Sequence, residues 1–247
     1  MSSIRFGLLF LGIIIVTPAT AQQHVLGLQL DNLIGGNISP YYERSAGDFL
    51  AVRLTLGVTP SREVPGSQIL RSLFLESPES SNFGNNGQYQ KWVFTPEVRA
   101  YFLQDRAPGG PYGSLFLRCS NHRLTVPYSI PFDGETIDTE SGLRLLIFGG
   151  GLGIGWQLLF AGDRLALDIY VGGGVAYAPV RLSIIDEALT DAGYEAIYEA
   201  LDEDLSVNLL PEELPNFLTN NGLTVRYPLV LPILKSHIGL GFVLGTD

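Results

Sequence analysis

The sequence predicts an all-β fold: an antiparallel, up-and-down transmembrane β-barrel of about eight strands, with a helical segment in its last long outer loop. Three observations carry that expectation. Apolar residues recur with period two over most of the chain, and period two is the repeat of a strand. The two faces are unequal: one is uniformly large and apolar, the other is glycine, small polar residues and isolated charges. That inversion is the dyad of a barrel turning its apolar face to lipid. The connections also alternate short and long, as between the two ends of an outer-membrane barrel. The alternative is a soluble sandwich, which would bury the apolar face and decorate the other with charge.

The chain opens on a leader. Arg5 precedes an apolar run from Phe6 to Val16, and small residues stand at Ala19 and Ala21. This is the layout of a secretory signal peptide over 1–21, cut between Ala21 and Gln22, and the run is too short to span a bilayer as a helix. The expected mature domain is 22–247, and loss of Arg5 takes the formal net charge of −10 one unit further negative. The single cysteine, Cys119, has no internal partner for a disulfide.

The first strand is expected over 24–32, with Leu26, Leu28 and Leu30 on one face and Gly27, Gln29 and Asp31 on the other. A second spans 37–44. The third, 49–58, alternates Leu50, Val52, Leu54, Leu56 and Val58 against Ala51, Arg53, Thr55 and Gly57. The fourth, 92–103, sets Phe94, Val98 and Phe102 against Thr95, Glu97, Arg99 and Tyr101. The fifth, 112–124, sets Leu115, Leu117 and Cys119 against Ser114, Phe116, Arg118, Ser120 and His122.

The stretch RLLIFGGGLGIGWQLLF, 144–160, carries five glycines, each costing a helix roughly 1 kcal/mol against alanine. Its order is that of a strand, with Leu152, Ile154, Trp156 and Leu158 opposite Gly151, Gly153, Gly155 and Gln157. After the turn composition AGDR, 161–164, the segment LALDIYVGGGVAY alternates again and closes a hairpin. The last strand, 234–244, sets Ile238, Leu240, Phe242 and Leu244 against His237, Gly239, Gly241 and Val243. Connections at 45–48, 104–111 and 161–164 are short; those at 59–91, 125–142 and 178–233 are long. An even strand count places both termini at the short-turn end.

The inward face carries Glu43, Arg53, Glu97, Arg99, Arg118 and Asp168, of both signs. A barrel of about eight strands has an interior just filled by side chains, so these charges are expected to pair across it as a structural network; a conducting path is the functional alternative. Arg53 and Arg118 are expected at one depth from neighbouring strands, with Glu43 and Asp168 nearer the short turns. From Asp186 to Glu213 there are ten acidic residues and no Lys or Arg. Apolar residues at three-and-four spacing make the first half of 186–213 read as an amphipathic helix. Such a loop offers a surface to a cation or a basic partner, or simply a solvated face.

No catalytic set emerges, so the expectation is not an enzyme, with no cofactor, no metal and no nucleic-acid partner. Ser120 and His122 share a face, similar to the hydrolytic pair of lipid-modifying barrels, but no carboxylate stands at a fixed offset. GGGLGIG is followed by neither a helix nor a basic residue, so it does not read as a nucleotide loop. DEDLSVN lacks the alternating oxygen ligands and central glycine of a calcium loop.

The stretches NLIGGNISPYYERSAGDFLAVRLTLGV, YGSLFLRCS, GGGLGIGWQLLFAGDRLALDIYVGGGVAY and LKSHIGLGFVL together resemble small outer-membrane β-barrel proteins of unknown function from Bacteroidetes-type Gram-negative bacteria. Tyr42, Glu43 and Arg44 match that group's motif before a tight turn, and Asp163 to Asp168 match its short-turn motif. The resemblance implies an eight-stranded barrel in the outer membrane, in contact with outer-membrane lipid and placed there by the barrel-insertion machinery. It implies no activity.

Overall fold

The computed structural model describes residues 23–63, 87–103, 108–132, 135–184, 218–219 and 222–245. The expected leader with its Ala21–Gln22 junction and the acidic segment 186–213 lie outside the described residues, so the expected helix in the last loop does too. In chain order the elements are β1 (His24–Gln29), α1 (Leu30–Ile34), β2 (Pro40–Ser45), β3 (Leu50–Glu63), β4 (Gln88–Tyr101), β5 (Gly110–Phe132), β6 (Glu135–Phe160), β7 (Leu165–Ile184), β8 (Leu218–Thr219) and β9 (Gly222–Leu244). The all-β expectation holds: α1 is a single turn, and β8 is a two-residue appendage of β9.

Eight strands pair antiparallel in the order β1-β2-β3-β4-β5-β6-β7-β9, and β9 returns to pair with β1 through Leu26–Phe242 and Gln29–Gly239. The sheet is therefore a closed barrel. Paired residues can be followed once around it, from Val25 through Glu43, Arg53, Glu97, Phe116, Gly151 and Gly174 to Ile233. Since Gly239 faces Gln29, the path re-enters β1 at the level of residue 35, ten positions from its start. For eight strands a shear of that size tilts them by about 40° and leaves a bore that side chains fill.

The alternation places the faces as expected. Leu152, Ile154 and Trp156 point outwards and are 67%, 64% and 53% exposed, while Glu43, Arg53, Arg99 and Asp168 point inwards and are fully buried. Inward glycines on β6 give room for ring stacking. A Cβ at Gly153 would collide with Tyr170, and one at Gly155 with the Tyr112 ring. The glycine-rich stretch is thus the smooth wall on which lumenal tyrosines lie.

Outward aromatics fall in two rows, the second of them confined to β4, β6 and β7. Near the short turns stand Phe49, Phe102, Trp156, Phe160 and Phe242; towards the other end Phe94 and Phe148 flank Cys119, and Phe148 pairs with Tyr177. Phe148 to Phe160 covers twelve residues of β6, about 40 Å of strand and about 30 Å along the axis at this tilt. No helix among the described residues is long and apolar enough to cross a membrane.

The strands outrun the sequence expectation at one end. Segment 125–142, expected as a long loop, is instead the tip of a β5–β6 hairpin paired from Gly110–Gln157 to Phe132–Glu135. β7 continues to Ile184, and β9 begins at Gly222 rather than near 234. Pro127, Pro131 and Gly134 are turn signals in sequence, and beyond the second aromatic row the period-two apolar pattern fades. The ladder therefore continues where its hydrophobic signature stops. β1 and β2 do pair, through Val25–Glu43, with α1 and residues 35–39 making the short connection.

Candidate functional site: the lumenal charge cluster

Six of the eight strands send polar side chains into one layer of the bore. β2 contributes Glu43, β3 Arg53, β4 Glu97 and Arg99, β6 Gln157, β7 Asp168, and β9 Lys235 and His237; all are buried. Register alone sets part of this layer, since Glu43 pairs with Arg53 and Arg53 with Glu97 on successive strands.

Arg99 is the hub. Its Nε donates to Glu97 Oε1 at 2.7 Å, and Nη1 donates to Glu43 Oε2 at 3.1 Å and Gln157 Oε1 at 3.2 Å. Nη2 donates to Asp168 Oδ2 at 3.0 Å. Three carboxylates thus converge on one guanidinium, whose planar fork suits several acceptors at once. Its carbon lies 4.2 Å from the centroid of the Tyr112 ring.

Arg53 Nη1 donates to Asp168 Oδ2 and lies 3.9 Å from Glu43 Oε2. Its Nε and Nη2 have no hydrogen-bond partner among the described residues, but the guanidinium carbon sits 3.5 Å over the Tyr41 ring. The aromatic face supplies negative potential where no oxygen does. Lys235 Nζ pairs with Glu97 Oε2 and lies 4.3 Å from the Tyr170 centroid.

Tyrosines complete the layer. Tyr112 donates its hydroxyl to Asp168 Oδ1 at 2.7 Å, and the Tyr101 hydroxyl is 2.6 Å from both Glu43 Oε1 and Gln157 Oε1. Ser114 Oγ donates to the Tyr170 hydroxyl at 3.1 Å. His237 Nε2 lies 2.7 Å from Asp168 Oδ2, and its ring stacks on Tyr170 with centroids 4.9 Å apart. Three carboxylates (Glu43, Glu97, Asp168) thus face three basic side chains (Arg53, Arg99, Lys235). The formal charge closes on itself, as a buried cluster requires if it is not to cost several kcal/mol per unpaired ion.

Of the inward charges read from the sequence, Glu43, Arg53, Glu97, Arg99 and Asp168 come together. Arg118 does not. β3 and β5 are not neighbours, because β4 lies between them. Arg118 instead lines a polar cavity of about 270 Å³ beside the cluster, with Asn37, Thr55, Lys235 and His237. Glu43 and Asp168 are not peripheral to the cluster, being the direct partners of both arginines. Lys235, Gln157 and the tyrosines had no place in the expected network. For Lys235 the signal was available, since it stands two residues before His237 on the same face.

Chemically the layer is a plug. Its acids are each engaged by at least one cation. Among the described residues no group of three His, Cys, Asp or Glu is placed to hold a metal ion. Towards the long-loop end a second polar group forms, with Ser120 Oγ 3.1 Å from His122 Nε2 and the Tyr89 hydroxyl 2.9 Å from His122 Nδ1. Ser120 is fully buried and faces the bore. No family model, curated protein or solved structure matches this chain.

Proposed function

We propose that the protein is an outer-membrane β-barrel with a structural or surface-interaction role, its bore closed by the ion cluster and its long-loop end offered to the surroundings. The observation that carries this reading is the inverted distribution of side chains. Large apolar groups cover the outside all round the barrel while the charges are paired within. Water-soluble monomers rarely expose contiguous apolar patches above a few hundred Å². A lipid solvent turns that same surface into the favourable one. The two aromatic rows support the reading, standing about as far apart as the ~30 Å hydrocarbon core is thick.

On this reading outer-membrane lipid surrounds the barrel, and export through the leader hands the chain to the barrel-insertion machinery. The acidic segment 186–213 adds a surface for a cation or basic partner at the long-loop end. The test is fractionation of native envelopes. The protein is expected to stay in the outer membrane after an alkaline carbonate wash and to change gel mobility on boiling. Recovery in the soluble fraction would contradict the proposal.

A second reading, a lipid-modifying hydrolase, draws on the 3.1 Å contact between Ser120 and His122. A serine buried in the bore is poorly placed for an acyl chain arriving from the bilayer, so the structural role is preferred. Envelope lipids that change in acylation between the wild type and Ser120→Ala would reverse that preference.

A further inference from the structure

Beyond the second aromatic row the sheet continues, with β4 reaching Gln88 opposite Thr125, and the row across β5, β6, β7 and β9 is all arginine. Arg123 pairs with Arg144, Arg144 with Arg181, and Arg181 with Arg226. All four positions have outward parity: Arg144 follows the even series of Ile154, Leu152 and Phe148, and Arg181 the odd series of Ile169, Val171, Val175 and Tyr177. Arg123, Arg144 and Arg181 are exposed, and Arg226 is placed in the row by register. With strands about 4.8 Å apart, the row is about 14 Å wide.

Such a row is unfavourable to the isolated sheet, because like charges directly opposite one another weaken strand pairing. The flanking outward positions Asn121, Thr125, Leu146, Gly142 and Pro179 hold no acid, and the nearest acid among the described side chains is Glu63, exposed and paired with Gln88 beside Thr125. Among the described residues Arg123, Arg144 and Arg181 join no ion pair; Arg144 Nε donates to Asn121 Oδ1 at 3.1 Å. The row finds little compensating charge among the sheet's described outward positions. Its depth is fixed by the strand: Arg144 is four residues past Phe148, about 10 Å further along the axis at the barrel's tilt. If the aromatic row marks the edge of the hydrocarbon, the arginines stand among headgroups.

We propose that the Arg123–Arg144–Arg181 row binds the phosphates of membrane-lipid headgroups, and that its width selects a headgroup carrying two of them. The proposal rests on the membrane reading above. Guanidinium groups take phosphate oxygens in bidentate pairs, and arginine positions on neighbouring strands, about 5 Å apart at the backbone, allow two phosphates side by side along the row. The site lies on the outer wall, so the ligand is lipid in the leaflet at the long-loop end.

The experiment compares the full-length mature protein with the triple variant Arg123→Gln, Arg144→Gln, Arg181→Gln. Both are reconstituted into phosphatidylcholine vesicles, alone or doped with cardiolipin (two phosphates) or phosphatidylglycerol (one). Insertion is read by flotation and by heat-modified gel mobility, and lipid retention by native mass spectrometry. Both proteins are expected to insert into phosphatidylcholine, the triple variant with no loss of thermal stability there because the opposed charges are gone. Wild type is expected to hold cardiolipin about 100-fold more tightly than the variant, three surface arginines contributing roughly fivefold each. It should also hold cardiolipin more tightly than phosphatidylglycerol. Equal retention of cardiolipin by both proteins overturns the arginine site while leaving the membrane reading intact. Equal retention of the two lipids by wild type overturns the two-phosphate selection. A wild type that fails to enter phosphatidylcholine overturns both readings together.

Discussion

Replacing Arg99 with methionine tests whether the lumenal cluster is a self-compensating plug. Methionine keeps much of the side-chain volume but removes four hydrogen bonds and leaves Glu43, Glu97 and Asp168 facing only Arg53 and Lys235. Breaking a buried ion pair from one side costs about 3–5 kcal/mol, and Arg99 serves three carboxylates, so the upper end applies. Adding Glu43→Gln restores equal numbers of each sign and keeps the Arg53–Asp168 and Lys235–Glu97 pairs untouched. The double variant should therefore recover at least half of the loss. The assay is a urea titration of protein folded in vesicles, followed by tryptophan fluorescence. With a denaturant slope of about 2 kcal/mol per molar, the single variant should lower the midpoint by about 2 M. A single variant within about 1 kcal/mol of wild type, or a double variant less stable than the single one, would refute the plug.

Three other outcomes are expected. Gly153→Ala should destabilise the fold by about 1–3 kcal/mol through overpacking against Tyr170, and Tyr170→Phe should recover part of it, as urea midpoints will show. Ile154→Arg, on the outside between the aromatic rows, should cost about 2–4 kcal/mol for protein folded in a bilayer; a cost near zero there would mean that this face does not meet hydrocarbon. Wild-type protein in planar bilayers should pass no steady current, because Arg53, Arg99, Tyr112 and Phe116 fill the bore; a stable ohmic conductance would favour a channel.

Much of the fold was legible because an apolar outer face and a polar, glycine-rich bore impose opposite demands on alternate residues. That is why 49–58, 144–160 and 234–244 declared their faces without any structure. The signal stops where the apolar outer face ends. Thr136, Ile137, Asp138, Thr139 and Glu140 belong to β6 as firmly as Ile154 does, yet their outward positions follow no apolar rule. Parity likewise assigned the inward charges, but partnership depends on registers and on a shear of ten, which loop composition does not encode. Arg118 and Arg53 share a face and still stand apart, while Lys235 reaches Glu97 across 138 positions of sequence. The arginine row is a register effect of the same kind, its members looking unrelated until the strands are aligned.

The account's central claim is that the apolar outer wall faces lipid, and native tryptophan fluorescence in vesicles tests it most directly. Both tryptophans, Trp92 and Trp156, point outwards, one near each aromatic row. Lipids brominated along the acyl chains should quench most of that emission, while aqueous acrylamide should quench little. Emission untouched by brominated lipid and readily quenched by acrylamide, from protein that does not float with the vesicles, would contradict the claim.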